Sequence, residues 1–186
     1  MNPYSPSIVS GNSTDTTNTR AFLQQAVDHY PRLAAFCFTL ALPYRESMAD
    51  YRSLILRFHT EVWQRIGEYS WQRQQARCHL PPTLLRWLWE AASAPACRMV
   101  LLMNLDTLAA VRKPPLVESV LQEMYAVIRE AWRTVTDADN RVVSMSSSII
   151  SRTDRCSFTR SFSQLQTRVN EMASPVMTAR TAVVCP

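Results

Sequence analysis

The chain has 186 residues, the span of one domain and too short for two full ones. Only Gly11 and Gly67 are glycine, against about 13 at ordinary usage. Neither a GxxxxGK phosphate loop nor a GxGxxG dinucleotide fingerprint can therefore be written.

The formal charge is +5, and Lys113 is the one basic residue that is not arginine. The charge is uneven. Residues 141–186 carry six arginines against Asp154 and Glu171, a net +4, whereas residues 1–140 are close to neutral. A basic tail attracts phosphate backbones without regard to base sequence. Met1–Ser10 has no basic n-region or apolar run, and no uncharged apolar stretch reaches 18 residues. No secretory signal and no membrane span are expected. Cys37, Cys78, Cys97, Cys156 and Cys185 are odd in number and lack CxxC spacing, which argues for free thiols in the cytoplasm rather than disulfides or zinc.

Residues 1–19 are rich in Ser, Thr and Asn and read as a disordered leader, with a single α+β domain over 20–186. A short helix is expected at Ala21–Tyr30, stopped by Pro31. Leu33–Leu42 alternates: Phe36, Phe38, Leu40 and Leu42 face one way and Ala35, Cys37, Thr39 and Ala41 the other, a strand. Ser47 and Asp50 resemble a capping box opening a helix to about Arg73, with Tyr51, Leu54, Ile55, Phe58, Val62, Trp63 and Ile66 as its apolar stripe.

Pro81-Pro82 forms a link. Leu84–Ala91 and Arg98–Asn104 then read as strands joined closely enough to pair as an antiparallel hairpin. Leu116–Val135 carries a second helical stripe, Val142–Met145 a short strand, and Phe158–Ala173 a last helix after a Ser-rich stretch. The order β-α-β-β-α-β is that of the ferredoxin-like split βαβ unit, an antiparallel sheet with two helices on one face. Its other face is left for a ligand, a partner or further helices. RNA-recognition, palm and rolling-circle nuclease domains share this order, so it selects no function.

Three stretches carry a resemblance. Pro82-Thr-Leu-Leu-Arg-Trp-Leu-Trp-Glu90 leads into Cys97-Arg-Met-Val-Leu-Leu-Met-Asn-Leu-Asp-Thr107, and Gln164-Leu-Gln-Thr-Arg-Val-Asn-Glu-Met-Ala-Ser174 follows later. With Phe36–Pro43 and Ile128–Trp132, they resemble the YagK/YfjJ-type, inovirus replication-protein-like family of prophages and plasmids, over roughly residues 33–185. That family is similar to HUH-type replication initiators. The resemblance implies a paired-histidine strand holding a divalent metal and a tyrosine that attacks a scissile phosphate.

Here the departures matter. Cys97-Arg98-Met99 stands where the family has His-x-His, and Glu171-Met-Ala-Ser174 where it has Tyr-x-x-Lys. Sulfur ligands do not suit Mg²⁺ or Mn²⁺, and Glu171 cannot take a phosphoryl group as tyrosine does. Cys97, Met99, Glu171 and Ser174 are then the remnants of a lost site, with no metal, no cofactor and no catalytic residue.

The three histidines have no ligand spacing, and Cys97 has no base near it in sequence. Trp87 and Trp89 share a strand face with Leu85, where they either stack on bases or pack beneath a helix. Arg86 and Arg98 lie on the opposite face and meet either phosphate or a carboxylate, Glu90 being the candidate. Arg152, Arg155, Arg160 and Arg168 surround the last helix and suit phosphate geometry.

The expectation is a catalytically degenerate replication-initiator-like protein that binds single- or double-stranded DNA. The alternative is a regulatory protein acting on a host or phage protein, and a metal-dependent nickase with a rearranged site is a third. Nothing in the sequence speaks to oligomeric state.

Overall fold

Strand alternation and proline stops divide the chain much as they do on paper. A computed structural model of the chain describes residues 12–44, 47–76, 83–91, 95–108, 114–136 and 141–182. In chain order the elements are α1 (Asn12–His29), β1 (Arg32–Ala41), α2 (Met48–Ala76), β2 (Thr83–Glu90), β3 (Ala96–Asn104), α3 (Leu105–Leu108), α4 (Pro114–Thr136), β4 (Val142–Ser151), α5 (Arg155–Asn170) and β5 (Pro175–Ala182).

The five strands form one sheet in the order β4-β1-β3-β2-β5, every neighbouring pair antiparallel. The first four reproduce the split β-α-β order, so the chain is an α+β protein with helices packed on an antiparallel sheet. β2 and β3 pair as expected, with Trp89 opposite Met99.

Period-two alternation places one set of side chains on each face. Phe36, Phe38 and Leu40 of β1, Leu85, Trp87 and Trp89 of β2, and Cys97, Met99, Leu101 and Met103 of β3 join the stripes of α2 and α4 in one core. Phe58 sits at its centre, edge-on to Phe38, Trp87 and Trp132. Ser47 caps α2: its Oγ accepts from the Asp50 amide at 3.2 Å and donates to the Asp50 carboxylate at 2.9 Å. Gly67 lies within α2 with no heavy atom within 4 Å of a would-be Cβ, so packing does not require a glycine there.

The opposite face is not open. Leu33, Ala35, Leu88, Val100, Leu102 and Ile150 pack against Leu23, Ala26 and Val27 of α1 and Leu165, Val169 and Met172 at and beyond α5. Helices cover both faces, so of the occupants left open for the second face it is further helices that fill it.

Several boundaries differ. Residues 12–19, read as part of a disordered leader, are the first turns of α1, and Thr19 is 2% exposed. The low helix propensity of Asn, Ser and Thr is overridden by packing of the following apolar stripe; residues 1–11 lie outside the described residues. The Ser-rich stretch belongs to β4, paired with β1 from Val142 to Ser151, because backbone pairing needs no apolar side chain. α5 begins at Arg155, three residues before the expected Phe158, where Asp154 caps it. β5 has no counterpart in the sequence reading. It is an edge strand with Pro175 at its start, where a missing N–H is harmless. Among the described residues no helix is long and apolar enough to cross a membrane.

Arg86 is a costly residue in this arrangement. It is 8% exposed beneath α1, with its guanidinium 5.5 Å from the Phe22 ring centroid and one amino group 3.4 Å from His29 Nδ1. Its Nε is buried without a partner and no carboxylate pairs with it among the described residues. Burial pulls its pKa below the usual value. An uncompensated buried charge is destabilising relative to an apolar side chain of similar length. Arg86→Met is therefore expected to stabilise the fold by about 1–2 kcal/mol, read from the urea midpoint. A clear loss instead would mean that the guanidinium has a countercharge.

Candidate functional site

The C-terminal third supplies the exposed cations. Asp154 opens α5 by accepting from the Ser157 amide at 3.2 Å and the Ser157 hydroxyl at 2.6 Å, and these bonds hold its pKa below the ordinary aspartate value. Arg141, Arg152, Arg155, Arg160, Arg168 and Arg180 are all exposed. None of the six is in a salt bridge among the described residues; the four that occur involve Arg32, Arg65, Arg98 and Arg133. Arg180 lies 3.9 Å over the Trp63 ring, and Arg168 donates to Ser146 Oγ at 2.6 Å. At 100° per residue Arg160 and Arg168 lie about 140° and 220° round the helix from Arg155. The arginines are thus spread around α5 rather than aligned in one stripe.

Between α5 and the sheet runs a groove. One part, of 350 Å³, is lined by Cys37, Ser146, Ser147, Ser148, Gln164, Leu165, Thr167 and Arg168. A second, of 390 Å³, shares Cys37, Ser146 and Arg168 and extends to Thr39, Arg98, Ser144 and Glu171. Burial raises the Cys37 thiol pKa, and the neighbouring Arg168 only partly offsets it.

Arg98 is not free for phosphate. Its Nε donates to Glu90 Oε1 at 2.9 Å, a second guanidinium nitrogen donates to the same oxygen, and its backbone amide donates to Glu90 Oε2 at 3.3 Å. The Ala173 amide adds a further bond to Oε1 at 3.1 Å. Burial alone would raise the Glu90 pKa, but these hydrogen bonds outweigh it and hold the carboxyl below its usual range. Arg98 also donates to the Glu171 carbonyl, tying the end of α5 to β3. Of the two partners weighed for Arg98, the carboxylate is the one observed.

The remaining expected site residues separate. Trp87 is 2% exposed, stacked on His59 at 4.1 Å beneath α2, so it cannot stack on a base. Arg86 is buried under α1, away from solvent phosphates. Cys97 and Met99 point into the core shared with α2 and α4. Glu171 and Ser174 are exposed beyond α5, which packs on the opposite face. The sheet therefore divides positions 97 and 99 from positions 171 and 174. Burial first, and the Glu90 charge second, push the Cys97 thiol up to about 12, so it stays protonated near neutrality. Among the described residues no three of His, Cys, Asp or Glu come together as metal ligands.

Sequence reasoning missed Cys37, Ser146, Ser148 and Gln164 of the groove. The run Ser144-Met-Ser-Ser-Ser148 was the available signal, but its strand register depends on an irregularity that the sequence does not mark.

The family model described as "Uncharacterised conserved protein UCP030791" matches residues 8–147. The chain belongs to that family. The family match ends within β4, so α5 and β5 lie beyond it. No curated protein and no solved structure matches the chain.

Proposed function

We propose that this UCP030791-family protein is a non-catalytic, nucleic-acid-associated relative of mobile-element replication initiators, meeting phosphate backbones through its C-terminal arginines. The observation that carries the reading is the charge of residues 141–182. Six exposed arginines face only two acids, and one of those, Asp154, is engaged as the cap of α5. Arg152, Arg155 and Arg160 have no ionic partner among the described residues, so their charge is free to displace counterions. The scatter of these arginines round α5 favours contact with a flexible or irregular backbone over docking of one helix face in a groove. With Trp87 and Trp89 buried, stacking contributes little, and the binding is electrostatic and tolerant of base sequence.

Gel-shift titrations with single- and double-stranded DNA across a series of salt concentrations test this. The Arg152→Ala/Arg155→Ala/Arg160→Ala variant is expected to reduce the log–log salt slope by about 2–3 while leaving the fold intact. Binding that is absent at low salt, or that is indifferent to the three substitutions, would overturn the proposal.

A further inference from the structure

β4 carries an irregularity that changes which of its side chains meet α5. Val142 and Val143 pair with Leu40 and Thr39, but beyond a register shift Ser146, Ser147 and Ser148 pair with Cys37, Phe36 and Ala35. Ser144 and Met145 thus stand against Phe38 alone, a bulge, and Ser144 has φ +46°, one of two non-glycine positive values among the described residues. Without the extra residue Met145 would oppose Cys37 and Ser147 would oppose Ala35. Directly opposed residues share a sheet face, so the bulge puts Ser146 and Ser148 on the α5 side and leaves Met145 against the other core.

α5 answers with Gln164 and Arg168, spaced i and i+4 on one flank. Their half of the groove is 350 Å³ in volume and its lining includes one guanidinium and no carboxylate. Glu171 belongs to the adjoining half, together with Arg98, which Glu90 already holds. Arg168 has neutral partners, Ser146 Oγ and the Cys37 thiol, and it is in no salt bridge among the described residues. Ser148 and Gln164 make no side-chain hydrogen bond among the described residues. Ser147 is occupied by the Tyr125 hydroxyl at 2.6 Å, and the Thr167 hydroxyl by the Ser163 carbonyl at 2.9 Å.

We propose that the groove between β4 and α5 is a binding site for a terminal phosphate group, held by Arg168, Gln164, Ser146 and Ser148. A planar cationic fork, an amide and two hydroxyls converging on a space without carboxylates suit a tetrahedral oxyanion. The site shares Arg168 with the exposed C-terminal arginines, but Arg152, Arg155 and Arg160, whose substitution tests the backbone contact, do not line it.

Cys37, in the floor of the groove, supplies a readout. Alkylation of the full-length chain is followed by peptide mass spectrometry, with inorganic phosphate as the probe. At ten times its Kd, phosphate is expected to slow Cys37 labelling about tenfold, while labelling of the exposed Cys156 is unchanged. Arg168→Gln and Ser148→Val should each remove the protection without lowering the melting temperature by more than a few degrees. Two arms identify the source of the phosphate. A short 5′-phosphorylated oligonucleotide that protects at far lower concentration than inorganic phosphate assigns the site to a strand end, and equal protection assigns it to small phosphorylated molecules. Absence of protection by phosphate, unchanged protection in Arg168→Gln, or equal protection by the unphosphorylated oligonucleotide would overturn the assignment.

Discussion

Below pH 6.5 the fold is expected to lose about 1.4 kcal/mol of stability per pH unit through His59 alone. This residue is 8% exposed, stacked on Trp87 at 4.1 Å and edge-on to Trp89 at 4.6 Å, and its Nε2 is buried without a partner. Burial lowers its pKa to about 3, with no charged group contributing. The native state therefore keeps His59 neutral while the unfolded chain binds a proton below its ordinary pKa of about 6.5. Protons taken up only by the unfolded state make stability fall as pH falls, from about 6.5 down through about 3. Carboxylates add their own acid sensitivity below about pH 5, so the comparison with His59→Phe isolates the histidine. That variant keeps a ring against Trp87 and removes the orphaned nitrogen. It is expected to equal or exceed the parent at pH 7 and to gain about 2 kcal/mol on it by pH 5. An unchanged stability difference between parent and variant from pH 7 to pH 5, read by urea unfolding, would show that His59 is not held neutral in the core.

Phe58→Ala is expected to cost about 3–5 kcal/mol. The ring is fully buried and meets Phe38 at 6.2 Å, Trp87 at 5.9 Å and Trp132 at 5.4 Å, all in edge-to-face arrangements. Truncation leaves a cavity between α2, α4 and the sheet that three bulky aromatics cannot close together. Phe58→Leu, which fills most of the volume, should lose about 1.5 kcal/mol or less. Equilibrium urea unfolding reads both, and a loss under 1 kcal/mol for the alanine variant would contradict the packing.

The metal-site chemistry that the resemblance implies and the fold place different demands on the same strands. Cys97 and Met99 occupy β3 positions that face the α2/α4 core, while the chain end after α5 reaches β3 from the other side through Arg98. A site assembled from positions 97, 99, 171 and 174 would need them on one face. Cys97 and Met99 are instead two sulfur side chains that pack as ordinary hydrophobes. The Arg98–Glu90 cluster then joins β2, β3 and the end of α5 structurally.

Legibility followed the strength of the local pattern. β1, β2 and β3 were readable because strict alternation over apolar residues has one geometric solution. The capping of α2 by Ser47 and Asp50 was readable because a side-chain acceptor three residues before a donor is a local device. The Arg98–Glu90 pair was visible as a charge needing a partner. β4 and β5 were hidden: Ser146–Ser148 shows no apolar alternation, and Met177, Ala179 and Arg180 give no clear face. The first turns of α1 were hidden for a related reason. Their Thr and Asn residues favour non-helical backbone on their own, and only the docked stripe of Leu23, Ala26 and Val27 holds the helix in place.

By itself the sequence determined the antiparallel α+β core, the absence of glycine phosphate loops, and a positive charge concentrated after residue 140. These depend on composition and on patterns a few residues long. Tertiary structure decided which side of the sheet each pattern faces. It buried Trp87 and Arg86 under helices, separated Cys97 and Met99 from Glu171, and turned Ser146 and Ser148 toward Arg168. The physical reason is that a strand has two faces of equal local merit. Which face is covered, and where one bulged residue reverses the alternation, depends on helices distant in sequence that must bury their own apolar stripes.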